Sequence, residues 1–365
     1  MVLMDKKAYL VLADGSVYEG QTFGAETDAY GEVVFNTSMT GYQEILTDPS
    51  YAGQIVLPTF PLIGNYGINR EDVESRRIQV RGFIVREECL LPNHYLSNET
   101  LDRYLADAGI PGISGVDTRA ITRKLRSMGV MMGVITSSMT PEKALESLRR
   151  QSDYGTFDFV KEVTTSKSYE WEPDSELPKR YHIVTYDCGL KYNILRQLRQ
   201  RGCQVTVVPC TTCADDILSL KPDGILLSPG PGDPVLLDYI TVNVKQLIGK
   251  KPIMGICLGC QLISRAFGGR TFKLKFGHRG GNHPVKEFAT GRVHITAQNH
   301  GYAVDADSLK NGLEVTHINL NDNTVEGVAH KELPIFSVQY HAEDSPGPRD
   351  NRYLFDKFIS MVKRE

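Results

Sequence analysis

From residue 181 onward the sequence alternates between continuous apolar runs and amphipathic stretches. HIVTYD precedes KYNILRQLRQRG, CQVTVVP precedes ADDILSL, GILLSP precedes YITVNVKQLIGK, and PIMGIC precedes LGCQLISRAFGG. Runs of Val, Ile and Leu without polar alternation read as strands buried on both faces. Helices between them supply the crossovers that parallel strands need. The pattern predicts an α/β fold for 181–365, an open, mostly parallel sheet flanked by helices. Short strands follow beyond 270 (RVHITAQ, LEVTHINL, TVEGVAH, IFSVQYH). A last helix starts near 350, with Leu354, Phe355, Phe358, Ile359 and Val362 on one core-facing stripe.

A chain of 365 residues is too long for one domain of about 150 residues, so a second domain is expected before this one. The texture changes over 152–180, a polar stretch with two Pro, the only Trp and no sustained apolar period. It reads as a linker. The preceding segment, 1–151, reads as a mixed α/β domain. Short β-like runs at 8–12, 17–18, 32–35, 55–57 and 78–85, the first pair joined by an Asp14-Gly15 turn, precede helical runs at 101–108, 118–127 and 141–151.

Lys and Arg number 41 against 44 Asp and Glu, a net charge of -3, so the general basic field of nucleic-acid binders is missing. No apolar run approaches the ~18 residues of a membrane helix, and the opening residues lack the longer apolar core of a signal peptide. The expectation is a cytoplasmic protein with neither nucleic acid nor membrane as partner. Its seven cysteines, an odd number, are expected to be thiols.

In an open parallel sheet, ligands bind beyond the carboxyl ends of the strands. The strand PIMGIC ends in Gly255-Ile256-Cys257-Leu258-Gly259, the cysteine counterpart of the G-x-S-x-G elbow, in which small neighbours permit a sharp turn that exposes a nucleophile. The helix that begins there favours thiolate. The plainer alternative is that Cys257 is a small buried hydrophobe. IFSVQYH delivers His341 to a sheet end with Glu343 two residues on. In an extended segment both side chains share a face, Asp344 points away, and a carboxylate can hold the imidazole that takes and returns a proton. Ser228-Pro229-Gly230-Pro231-Gly232-Asp233-Pro234 is a rigid loop whose N–H groups suit an oxyanion, or simply a tight turn. Neither common nucleotide-phosphate motif occurs.

Two C-x-x-C pairs, Cys210/Cys213 and Cys257/Cys260, could together form a four-thiolate zinc site. However, the 44 positions between Cys213 and Cys257 exceed the usual ~15–20 residue spacer. Cys257 and Cys260 alone could be a redox pair at a helix N-terminus, which would leave His341 and Glu343 unexplained. A peroxide-driven link between them could also silence a cysteine nucleophile.

Through GICLGCQ, the GPGDP loop and the late His-x-Glu, the chain resembles the class I, triad-type glutamine amidotransferases. FNTSMTGYQEILTDPSYAGQIV, GVDTRAITRKLR, KFGHRGGNHPV, TAQNHGYAV and SPGP extend the likeness over nearly the whole chain, toward the small-chain family of carbamoyl-phosphate synthases. The resemblance implies a Cys257 nucleophile, His341 as acid and base, and Glu343 as its orienter. It implies glutamine held by Ser50, Gly230, Gly232, Leu258, Gln261, Asn299, Gly301 and Tyr302, with the oxyanion met near Gly230 and Leu258. Ser50 lies in the first domain, which implies a site at the domain interface. The family further implies a hetero-oligomer in which ammonia passes to a separate large chain that uses bicarbonate. ATP and Mg are expected on that partner and no cofactor on this chain. Three departures stand out: Cys260 where relatives often have His, Ala342 where His-Pro-Glu is usual, and Tyr302 where Phe is common. They bear on local rigidity and redox sensitivity, and every triad member is present.

Overall fold

Strand β1 (Lys7–Leu12) turns at Gly15, whose φ of +86° needs glycine, into β2 (Val17–Gly24), as the Asp14-Gly15 signal predicts. The computed structural model describes residues 6–171 and 179–363. Residues 172–178 of the expected linker and the ends of both expected domains, 1–5 and 364–365, lie outside the described residues. The chain divides into two units, Met1–Phe157 and Asp158–Glu365.

In the first unit β3 (Ala29–Asn36), β4 (Gln54–Pro58), β6 (Gly82–Ile84), β8 (Pro111–Ser114) and β9 (Met131–Thr136) join β1 and β2. They form a closed barrel in the order β1-β2-β8-β6-β4-β3-β9. The short strands β5 (Leu62–Ile63) and β7 (Glu87–Glu88) pair separately. Helices Leu101–Asp107 and Thr118–Met128 start where Thr100 and Asp117 accept N–H bonds from Arg103 and Ala120. The expected strand over 78–85 contracts to Gly82–Ile84, because the N–H groups of Gln79 and Arg81 are spent on the Leu46 and Gln54 carbonyls rather than on a regular ladder.

The second unit is one ten-stranded sheet. Its strands are β10 (Tyr169–Trp171), β11 (Tyr181–Asp187), β12 (Cys203–Pro209), β13 (Gly224–Leu227), β14 (Ile253–Ile256), β15 (Thr271–Glu287), β16 (Val293–Val304), β17 (Leu313–Asn319), β18 (Val325–His330) and β19 (Ile335–Val338). The order is β10-β12-β11-β13-β14-β19-β18-β17-β15-β16, and the run β12-β11-β13-β14-β19 is parallel. Alternate residues enter opposite cores. Val184, Ile225 and Leu227 pack with the helices Asp238–Leu247 and Leu258–Ala266, while Ile183, Leu226 and Met254 pack with Tyr192–Gln200 and Tyr353–Val362.

Part of the stretch read as a linker is sheet: β10 is an antiparallel edge strand on β12. The long strand β15 escapes a periodicity reading because glycines break it, and its ladder with β16 shifts register twice. Among the described residues no helix is long and apolar enough to cross a membrane.

Candidate active site

At the carboxyl end of β14 the backbone turns at Cys257, the residue before helix Leu258–Ala266, with φ +53° and ψ −105°. A non-glycine residue there is strained, and the flanking glycines make the turn sterically feasible. A Cβ on Gly255 would lie 2.8 Å from the Gly259 backbone, and one on Gly259 would lie 2.3 Å from the Leu227 carbonyl oxygen. The Cys257 N–H bonds the Val338 carbonyl at 2.8 Å, tying the elbow to β19. Leu258 and Gly259 present the first N–H groups of the helix, which have no intrahelical acceptor.

His341 and Glu343 meet as expected, Nδ1 to Oε1 at 2.7 Å, and both are buried. The route differs from the expected extended strand. β19 stops at Val338, a single antiparallel bridge to Ala297 holds His341, and the Asp344 N–H closes a turn onto the His341 carbonyl at 3.2 Å. Past Val338 the backbone bonds pass from Glu326 of β18, which takes the Gln339 N–H, to β16 and this turn, so the pair forms across a bend.

Lys191, missed by sequence reasoning, completes the electrostatics. Its Nζ lies 2.9 Å from Glu343 Oε1 and donates to the Asp344 carbonyl at 2.9 Å. Asn193 donates to the Glu343 carbonyl and to Asp344 Oδ1, and Arg352 grips the Asp344 carboxylate at 2.7 Å. The loop carrying Lys191 is built by Asp187, whose Oδ1 accepts the N–H groups of Gly189 and Leu190. A lysine after a strand end in KYNILRQ carries no local sign of burial, and only the sheet order places it beside residue 343.

Burial disfavours the charged imidazole of His341, yet the Glu343 carboxylate outweighs burial and the opposing Lys191 charge, so the ring stays protonated well above the ordinary histidine range. Burial would likewise raise the Glu343 carboxyl, but Lys191 and His341 hold it well below the usual carboxylate range. Cys257 is close enough to favour the charged ring, although its thiol points to the Asn299 carbonyl at 3.6 Å and His341 Nε2 makes no hydrogen bond. The ring nitrogen that would exchange a proton with the thiol is therefore the unengaged one.

The remaining predicted residues distribute as follows. Gly230 packs so closely that a Cβ would lie 2.2 Å from the Cys188 carbonyl oxygen and 2.6 Å from Leu258, while Gly232 adopts φ +89°. The GPGDP loop thus lies against the start of helix Leu258–Ala266. Gln261 does not reach outward, since its amide donates to the Tyr302 carbonyl at 2.9 Å and to Gln339 at 3.1 Å. Asn299, Gly301 and Tyr302 lie on β16, whose Asn299 carbonyl faces the thiol. Ser50, in the first unit, sits in the turn Pro49–Tyr51 with a buried hydroxyl that makes no hydrogen bond.

The zinc and redox alternatives fare poorly. Among the described residues the one His, Cys, Asp and Glu grouping able to ligate a metal is His278, His300 and Glu326, with no cysteine in it. Burial pushes the Cys260 thiol up to about 12, which leaves little thiolate to resolve an oxidised Cys257.

The family described as "Glutamine amidotransferase class-I" matches residues 184–361, and "Carbamoyl-phosphate synthase small chain, CPSase domain" matches 10–135. The protein named "Carbamoyl phosphate synthase small chain" from Syntrophotalea carbinolica is 54% identical over 369 residues, covering 98% of each chain. Its namesake from Akkermansia muciniphila is 53% identical, covering 98% of this chain and 97% of that one. The one from Aquifex aeolicus is 50% identical, covering 99% of this chain and 100% of that one.

Proposed function

The chain belongs to the carbamoyl-phosphate synthase small-chain family and carries its glutamine amidotransferase domain, and from that premise we propose that Cys257, His341 and Glu343 are its catalytic triad. The protein is the glutamine-hydrolysing subunit of that synthase, and as a small chain it works with a large-chain partner. The observation that carries the triad is the buried 2.7 Å pair of His341 and Glu343 beside a cysteine on a strained, glycine-flanked elbow.

The reaction runs as follows. The Cys257 thiolate attacks the side-chain amide carbon of L-glutamine, and the carbonyl electrons move onto oxygen, where N–H groups near Leu258 and Gly230 stabilise them. The tetrahedral intermediate collapses as protonated His341 gives its proton to the amide nitrogen. The carbon–nitrogen bond breaks, releasing ammonia and leaving a glutamyl thioester. His341, now neutral, takes a proton from water that attacks the thioester, and glutamate departs as the thiolate and imidazolium are restored. Glu343, held by Lys191, keeps the imidazole oriented throughout. Gly230, Gly232, Leu258, Gln261, Asn299, Gly301 and Tyr302 form the glutamine pocket. Gln261 does so by fixing the Tyr302 backbone, a role its hydrogen bond supports.

The partner is the large synthetase chain, which binds ATP and Mg and joins ammonia to bicarbonate, whereas this chain needs no cofactor for its own step. The pair operates in the cytoplasm, and its carbamoyl phosphate feeds arginine or pyrimidine synthesis. The test is to assemble the two chains and supply glutamine labelled with 15N in the amide, in unlabelled ammonium. The label is expected in carbamoyl phosphate, and unlabelled product, drawn only from the ammonium, would refute the assignment.

A further inference from the structure

Strand β16 meets the triad through two carbonyl groups. Ala297 accepts the His341 N–H at 2.9 Å, and Asn299 accepts the Cys257 thiol at 3.6 Å. The residues interleaved with them, Gln298 and His300, send their side chains into a buried polar cluster that the reaction does not use. At its centre is Glu326 of β18, fully buried, which accepts from Asn319 at 2.8 Å and from Gln298 at 3.0 Å. His278 of β15, opposite His300 in the ladder, lies between Glu326 (Nδ1 to Oε1, 3.4 Å) and Asp322 (Nε2 to Oδ2, 2.8 Å). Glu326 also touches the triad's own strand, because its carbonyl accepts the Gln339 N–H at 2.8 Å, two residues before His341.

Resting on the assignment of Cys257 and His341 above, we propose that the Asp322–His278–Glu326 ion triad is a positioning device for glutamine hydrolysis. It locks β16 so that the Ala297 and Asn299 carbonyls present imidazole and thiol to each other. Each nitrogen of His278 faces a carboxylate, so the ring satisfies both only as a doubly protonated imidazolium. Burial opposes that charge, but the two carboxylates outweigh it and raise the ring to about 9. His278, His300 and Glu326 also have ligand atoms close enough to hold a metal ion. The hydrogen bonds favour the ion triad, because both oxygens of Glu326 already accept, from Gln298 and from Asn319, and each nitrogen of His278 faces a carboxylate. A buried ion pair of this kind serves geometric uniqueness, and losing one member leaves the other charge stranded.

The test uses the assembled two-chain enzyme. Glu326→Gln is expected to lower kcat for glutamine at least tenfold with KM changed less than threefold, while synthesis from added ammonia stays within twofold of wild type. The double variant Glu326→Gln/His278→Gln, which removes both charges together, is expected to regain most of the lost kcat. Loss confined to KM, or a double variant worse than either single one, would overturn the proposal, since a mere packing defect accumulates. About one equivalent of transition metal in the wild-type enzyme, with activity lost on chelation, would replace the ion triad by a metal site. Failure of a glutamine-mimicking electrophile to label wild-type Cys257 would instead refute the assignment on which the proposal rests, an outcome distinct from any defect in the variants.

Discussion

Substituting Cys257→Ser is expected to abolish glutamine hydrolysis, lowering ammonia release by the two-chain enzyme about 10³-fold or more while synthesis from added ammonia persists. The magnitude follows from what the elbow supplies. A hydroxyl in the same strained position keeps the geometry but does not ionise near neutral pH, and His341 is held protonated by Glu343, so it is a poor base for an alcohol. The protonated ring suits a thiolate partner, whose charge it can pair with, and not a neutral serine. Ammonia release and ammonia-dependent synthesis measured on the same preparation separate loss of chemistry from loss of assembly.

The second large effect is expected at Lys191. Lys191→Met leaves the wholly buried Glu343 with one cation instead of two, and breaking a buried pair in this way costs about 3 kcal/mol of stability at neutral pH. Glu343 is held below its unfolded value. Its contribution to stability is therefore present above the ordinary carboxylate range and is lost as pH falls through the lowered folded value. Removing Lys191 raises that folded value, so the acid limb of both stability and glutaminase activity should move to higher pH. The same change removes a charge that opposes protonation of His341, so the imidazolium becomes more persistent and the water-activation step, which needs the neutral ring, slows. Turnover should fall about 10- to 100-fold, less than the ~10²–10⁴-fold that a general base contributes, because His341 itself remains. Thermal melts and initial rates from about pH 2, where the folded Glu343 carboxyl titrates, up through the ordinary histidine range would show it. An unchanged acid limb would mean that Lys191 does not hold Glu343.

The parallel sheet was legible because its strands are apolar on both faces, and the sites at the strand ends followed from topology. Cys257 could be named from its flanking glycines, whose missing Cβ atoms the Leu227 carbonyl and the Gly259 backbone require. His341 and Glu343 could be named as a pair, but not the bend that joins them. That bend depends on Ala297 capturing the His341 N–H across 44 positions of sequence. Lys191, the Glu326 cluster and closure of the first unit into a barrel were illegible for the same reason. Each is a non-local pairing, and local periodicity records which face of an element is buried without recording against what. β15 stayed hidden because Gly277 (φ +71°) and Gly280 (φ +151°) interrupt its pleat with conformations reserved for glycine.

The central claim, that Cys257 is a nucleophile sitting in a glutamine pocket, is tested most directly by an electrophile that mimics glutamine. The chain is labelled with and without competing glutamine, and the modified peptide is mapped. Labelling is expected at Cys257 alone among the seven cysteines and should be suppressed by glutamine. Labelling spread over several cysteines regardless of glutamine, or absent even in the assembled enzyme, would contradict the account.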